Sequence, residues 1–326
     1  MTRAAARPGP LHRLRPALWA GLAVVTAVVA GALAGALSGS AFPILVGTSV
    51  SRSGMDVAGV ACVGLGLLSV LLPYGEAEYR ETHNLQRRID RALVVLAGAW
   101  LVLVLLGIVF RAADAFGRPV ASLGSGEVVR WGVQLAAGRG MVLTAGCAAV
   151  VLACGVARVL RPEQIPIRVA LVAALLGVLT PAVTGHASSA PDHQLAVIMV
   201  ALHIGAAAVW VGGLGAMLVL VAHRRTLLGT ALPRFSRLAG ICVVAVAVTG
   251  VLNAQVRLPS WAALWTTGYG WLVITKTICL VVLAGLGGLA RRRLAAGRSP
   301  VLRWAGTETA LMAATLGVAA ALTQTA

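Results

Sequence analysis

Long runs of residues with little or no charge recur along the whole chain and predict its secondary structure. Most of the nine runs have close to the ~20 residues that an α-helix needs to cross about 30 Å of hydrocarbon. Backbone in lipid must satisfy its hydrogen bonds within its own segment, and the runs lack the ten-residue alternation of barrel strands, so we predict nine transmembrane helices. The runs cover residues 17–37, 57–73, 92–110, 140–157, 169–185, 195–222, 238–256, 269–290 and 304–326.

Composition agrees with this pattern and excludes soluble proteins. Of the 326 residues, 59% are apolar and only 11% are charged, and the mean hydropathy is +0.90. A soluble domain carries about 25% charged residues, so most of this surface must face lipid. We therefore expect an all-α integral membrane protein, a polytopic bundle with the lipid bilayer as its main partner, and not an enzyme.

The distribution of Lys and Arg predicts the orientation. With a cytoplasmic N-terminus, the inner segments hold 20 arginines and the outer segments hold 6, while Lys276 lies within a span. Segments rich in Arg are retained on the cytoplasmic side of the inner (cytoplasmic) membrane, which predicts a cytoplasmic N-terminus. With nine spans, the C-terminus is then extracytoplasmic. The net charge of +17 then forms a collar at the lipid headgroups, and nucleic acid is not expected as a partner.

The connections suggest how the chain is divided. Residues 1–16 form a basic cytoplasmic N-terminus, 17–165 a four-helix transmembrane part and 166–326 a five-helix transmembrane part. A long outer loop at 111–139 is expected to contain a short interfacial helix around 127–135. The first span is expected to remain uncleaved, because its run of 21 apolar residues exceeds the 7 to 15 typical of a secretory signal.

A few polar residues fall within spans, where an ionisable group is costly and is by default a candidate functional residue. At 1.5 Å per residue, His203 lies about 12 Å, Lys276 about 10 Å and Asn253 about 5 Å below the outer ends of their spans. Glu308 lies about 6 Å above the inner end of the last span. It is either a partner for an inner arginine or a functional residue.

Three histidines, His186, His193 and His203, face the outer side within one hairpin. Neutral imidazole is the commonest metal ligand. On one continuous helix, His193 and His203 would be ~15 Å apart, so they would form two separate sites. Met199 precedes His203 by one turn on the same face, and imidazole with thioether suits Cu(I), whereas His186 with His193 could hold Cu(II) or Cu(I).

An alternative interpretation gives these side chains a purely structural role. In it, Met199 and Trp210, which continues the same face of the helix, only pack, and His203 hydrogen-bonds a neighbouring helix. Gly212 and Gly213 are expected to allow close helix approach. The five cysteines lie within spans and are not expected to form disulfides; Cys279, one turn below Lys276 at a depth similar to that of His203, is retained as a candidate.

Four segments, in this order, resemble the membrane domain of the copper resistance protein D family. They are GHASSAPDHQLAVIMVALHIGAAAVWVGGLGAM, RFSRLAGICVVAVAVTGVLNAQVRL, LWTTGYGWLVITKTICLVVLAGLGGLARRRL and the glutamate in WAGTETALM. The resemblance covers about residues 166–326 and implies an inner-membrane protein that helps copper to cross, usually inward. It implies functional roles for His186, His203, Lys276 and Glu308, whereas His193 lies in a variable stretch.

These patterns together give one hypothesis and two alternatives. Copper is accepted on the extracytoplasmic side, with an extracytoplasmic copper chaperone as a compatible donor. His186 and His193 capture it, His203 and Met199 hold it within the membrane, and Lys276 and Asn253 tune the outer cavity. One alternative is an electron-transfer subunit with haem b held by two histidines. The other is copper delivery for cytochrome c oxidase assembly, since the chain is similar to the first half of longer proteins with an assembly domain.

Overall fold

The computed structural model describes residues 42–72, 79–161, 165–183, 193–222, 224–257 and 262–295. Every regular element in these ranges is helical, which confirms the all-α class for this part of the chain. A 3₁₀ turn at Val120–Ser122 and a π-helical turn at Met217–Val221 complete the described elements. The helices are α1 Phe42–Leu71, α2 Tyr79–Phe116, α3 Ser125–Gln134, α4 Ala136–Leu160, α5 Ile167–Val183, α6 His193–Ala216, α7 Arg225–Arg257, α8 Ala263–Thr266 and α9 Gly268–Ala295.

Seven of the nine predicted spans coincide with helices, namely α1, α2, α4, α5, α6, α7 and α9. Among the described residues, α1, α2, α4, α6 and α7 are long and apolar enough to cross a membrane, whereas α5 and α9 carry shorter apolar stretches. The protein is therefore a membrane protein. The predicted spans at 17–37 and 304–326 lie outside the described residues, and the total of nine spans and the orientation remain predictions.

Several helices extend beyond the predicted apolar runs. Helix α1 begins at Phe42 rather than near 57, which places Asp56 in mid-helix and not at the edge of a span. The cause is a charge pair one turn apart, in which Arg52 Nε lies 3.2 Å from Asp56 Oδ2. Because the two side-chain charges offset each other, the helix continues through Arg52 and Asp56.

The connection between α2 and α4 is shorter than the loop predicted at 111–139. Helix α2 continues to Phe116 and α4 already begins at Ala136. The short helix expected near 127–135 is α3. Its first turn is held by Glu127, whose carboxylate accepts a hydrogen bond from Gly124 N–H at 2.9 Å and lies 3.0 Å from the Arg118 guanidinium.

Helix α1 occupies the centre of the described bundle. It packs against α2, α5, α6 and α7, while α4 lies outside against α2 and α5. At the α1–α6 crossing, a Cβ added to Gly64 would lie 2.0 Å from the Gly212 carbonyl oxygen, and one added to Gly212 would lie 2.2 Å from that of Val60. The two backbones are in direct contact, which confirms the close approach predicted at Gly212.

We expect Gly212→Ala to lower the melting temperature of the purified protein. The new methyl group cannot fit against the Val60 carbonyl unless α1 and α6 move apart, and overpacking of this kind costs about 1–3 kcal/mol. Gly215→Ala is the matched control on the same helix, because an added Cβ there has no described atom within 4 Å. Alanine at 215 should leave the melting temperature unchanged or raise it. Equal effects of the two substitutions would contradict the close crossing.

Candidate functional site

The site centres on a contact between α6 and α7 within the apolar part of both helices. His203 of α6 is half-buried, and Thr249 of α7 is buried with only 4% of its surface exposed. His203 Nδ1 lies 2.9 Å from Thr249 Oγ1. The imidazole is thus oriented by a polar group on a neighbouring helix, as the structural interpretation predicted. Such an oriented ring is also usual for a metal-binding histidine.

The hydrogen bonds of Thr249 favour one tautomer of the His203 imidazole. The Thr249 hydroxyl donates to the Ala245 carbonyl oxygen, one turn back on α7, at 2.6 Å. A hydroxyl has a single proton, so toward His203 the same oxygen must act as acceptor. Nδ1–H of His203 is then the donor, and in the neutral ring Nε2 carries the lone pair. That lone pair is what a metal ion requires of an imidazole.

Gly250 of α7 lies beside the imidazole. A Cβ added to this glycine would lie 3.5 Å from His203 Cε1 and 3.9 Å from Nδ1, which is ordinary van der Waals contact. The ring therefore lies close to the α7 backbone, with Thr249 and Gly250 defining its position. A larger side chain at 250 would cover part of the ring.

Met199 and Asn253 lie one helical turn farther from the α6–α7 connection than the His203–Thr249 pair. Each is four residues from its partner, Met199 from His203 on α6 and Asn253 from Thr249 on α7, so each shares a helix face with that partner. Since α6 and α7 pack together and a short connection joins them, they run antiparallel. Both side chains are half-buried. The Met199 thioether and the Asn253 amide therefore lie on the helix faces that carry His203 and Thr249, one turn away.

Other predicted site residues have more ordinary surroundings. Trp210 is 6% exposed and belongs to the hydrophobic core, as does Met217, which favours packing as their role. Cys279 is half-buried in α9, and all five cysteines are free thiols, with Cys62 among the most buried.

Some predicted residues lie beyond what the structure describes. His186 and Glu308 lie outside the described residues. His193 begins α6, and Lys276 lies in α9, but in both cases only the backbone is described. His193 and His203 do share one continuous helix, so the ~15 Å separation stands. Within the described ranges, no three His, Cys, Asp or Glu side chains are grouped closely enough to hold a metal ion.

Sequence reasoning missed Thr249 and a buried ion pair. Thr249 lies in the apolar run AVAVTGVLN, where a threonine that bonds its own helix carries no distinctive signal. Asp90 and Arg158 lie in segments treated as charged connections, yet both are buried, with Arg158 Nε 2.8 Å from Asp90 Oδ1. Their 68-residue separation leaves no local pattern to detect.

Two family models match the sequence. The one described as "Copper resistance protein D-like, N-terminal domain" matches residues 43–192, and "Copper resistance protein D" matches residues 229–322. His203 lies between the two matched ranges, whereas Thr249 lies inside the second.

The chain is also similar to a named bacterial relative. The protein named Copper transport protein CutJ from Bacillus subtilis (strain 168) is 29% identical over 138 residues. This alignment covers 39% of the present chain and 26% of the relative, so the chain spans only about a quarter of that protein. No solved structure matches. Since the two family models together cover about three quarters of a chain built from apolar helices, this protein belongs to the copper resistance protein D family of membrane proteins.

Proposed function

We propose that this protein transports copper across the cytoplasmic membrane and accepts it on the extracytoplasmic side, with His203 as the ligand within the membrane. The observation that carries the proposal is the hydrogen-bond chain from His203 Nδ1 through Thr249 Oγ1 to the Ala245 carbonyl. Histidines that bind metals usually donate their other N–H to an oxygen acceptor, which orients the ring. Family membership and a relative named as a copper transport protein support copper as the metal.

The surroundings of His203 suit monovalent copper. His203 lies six residues into the apolar stretch Val197–Val221, or about 9 Å along the helix axis. Imidazole and thioether are ligands that Cu(I) accepts, so Met199, one turn away on the same face, is the proposed second ligand. Both ligands are uncharged in their metal-binding forms, which reduces the cost of keeping them within the bilayer.

The remaining predicted residues complete the proposed route. His186 and His193 capture copper at the outer surface and pass it to His203, about 15 Å along α6 from His193. Asn253 and Lys276 adjust the polarity of the outer cavity. Cys279, at a depth similar to that of His203, and Glu308, toward the inner side, are further candidate contacts.

We expect Thr249→Val to weaken Cu(I) binding by about 10- to 100-fold, the usual effect of removing the acceptor behind a ligating histidine. Valine preserves the shape of threonine but cannot accept the Nδ1–H proton, so the tautomer is no longer fixed. The affinity is measured on purified protein under anaerobic conditions by competition with a coloured Cu(I) chelator.

Thr230→Val provides the matched control on α7. The Thr230 hydroxyl also donates to a carbonyl of its own helix, that of Leu227 at 3.1 Å, but it lies ~28 Å along the helix from Thr249. This variant should bind Cu(I) as the unmodified protein does. Equal affinities for the two variants would contradict the role of Thr249. A Soret absorption band in the purified protein would indicate haem b, and tight copper binding without copper accumulation by cells would indicate delivery for oxidase assembly.

A further inference from the structure

A stripe of polar and charged residues runs along one face of the first three turns of α2. Its members are spaced by three or four residues and so lie one above another. Together with Arg224, which precedes α7, they line a cavity of about 460 Å³. The lining residues are Glu81, Asn84, Arg87, Arg88, Arg91 and Arg224.

The cavity has an excess of positive charge. Glu81 already has partners, because its carboxylate lies 3.6 Å from Arg224 Nη1 and accepts a hydrogen bond from the Thr226 hydroxyl at 2.9 Å. Arg87, Arg88 and Arg91 are exposed, and no carboxylate of the described residues forms an ion pair with them. Within the described ranges, the guanidinium groups of Arg87, Arg88 and Arg91 therefore face one opening with no carboxylate in an ion pair with them.

The position of the cavity along α2 coincides with the lipid headgroups. With 38 residues, α2 is about 57 Å long, far more than the ~30 Å of hydrocarbon, so it projects from the membrane. The apolar run begins directly after Arg91, and Arg87 lies only ~6 Å farther out along the axis. The headgroup layer is about 5–7 Å thick on each side, so Arg87, Arg88 and Arg91 lie at the level of the phosphates.

The face of α2 below the cavity is apolar and uncovered. Val95 follows Arg91 by one turn on the same face and is 70% exposed, and Val102 and Leu106 continue that face with about half of each side chain exposed. A soluble anion would not contact such an apolar surface. A phospholipid would place its phosphate among the arginines and lay an acyl chain along these residues.

We propose that this cavity is a specific binding site for the headgroup of an anionic phospholipid. Guanidinium groups bind phosphate oxygens in a bidentate manner, and basic pockets at the ends of transmembrane helices attract anionic headgroups. The site joins the first turns of α2 to Arg224, which directly precedes α7, so the bound lipid connects these two helices. This inference is independent of copper transport.

The test compares two doubly substituted variants of the full chain in detergent, titrated with phosphatidylglycerol and followed by native mass spectrometry and melting temperature. In Arg87→Gln/Arg88→Gln, the affinity for phosphatidylglycerol should fall roughly 30-fold, since each arginine near an anionic surface contributes about a fivefold factor. Arg130→Gln/Arg139→Gln removes the same charge from two exposed arginines outside the cavity and should bind the lipid normally. Phosphatidylcholine should not raise the melting temperature of the unmodified protein or of either double variant.

Three outcomes would overturn the proposal. The first is equal phosphatidylglycerol affinity in the two double variants. The second is equal protection by phosphatidylcholine, which would show that the headgroup charge is not recognised. The third is that millimolar inorganic phosphate raises the melting temperature as much as phosphatidylglycerol does and displaces this lipid. That result would identify a soluble anion as the ligand. Should Arg87→Gln/Arg88→Gln fail to fold, Arg91→Gln replaces it with an expected loss of about fivefold, and an unchanged affinity would again overturn the proposal.

Discussion

Replacing His203 with alanine should reduce copper accumulation to the level of cells that lack the protein. The substitution removes the imidazole that Thr249 orients and leaves Met199 as the remaining proposed ligand on this face of α6. The loss of Cu(I) affinity should exceed the 10- to 100-fold expected for Thr249→Val, because a ligand is lost and not only its support. Cellular copper is measured by elemental analysis at limiting external copper, with membrane protein levels matched by immunoblot.

Two further variants make this result specific. His83→Ala removes a histidine from the polar start of α2, remote from the α6–α7 contact, and should leave accumulation unchanged. His203→Met replaces imidazole by a soft thioether and should retain part of the uptake if the cargo is Cu(I). Accumulation by His203→Ala equal to that of the unmodified protein would refute the proposed role of His203.

The fold was predictable from sequence where lipid dictates the pattern. An apolar helix in a membrane has to satisfy its own backbone, so uncharged runs identified α4 and α6 closely. Helix ends were harder to predict, because charges do not stop a helix that can pair them or project beyond the lipid. Arg52 with Asp56 keeps α1 continuous, and the polar first turns of α2 extend that helix well beyond its apolar run.

The candidate site was predictable only in part. The position of His203 within an apolar helix marked it as a functional candidate, since a polar group there needs a reason. Its partner could not be identified, because Thr249 resembles any threonine that bonds its own helix and the α6–α7 register depends on side-chain packing. The same limitation applies to the arginine-lined cavity, which depends on Arg224 lying beside the first turns of α2.

Asp90→Ala should destabilise the protein more than any surface substitution, by about 3–5 kcal/mol. The substitution would leave the Arg158 guanidinium buried without its anion. Arg158 joins three parts of the fold, because Nε donates to Asp90 Oδ1 on α2 at 2.8 Å and Nη1 donates to the Ile165 carbonyl oxygen, just before α5, at 2.6 Å. Loss of the pair should lower the melting temperature and the denaturant midpoint of the purified protein.

A double variant and an exposed pair separate the ion-pair effect from general damage. In Asp90→Ala/Arg158→Met, no buried charge remains, so much of the stability lost in Asp90→Ala should return, since apolar replacements of buried pairs are often nearly neutral. Arg118→Ala breaks an ion pair of similar length, 3.0 Å to Glu127, but with the Arg118 side chain 48% exposed, and should cost at most about 1 kcal/mol. A double variant less stable than Asp90→Ala alone would show that Arg158 stabilises the fold mainly through its bond to the Ile165 carbonyl beside α5, and not through Asp90.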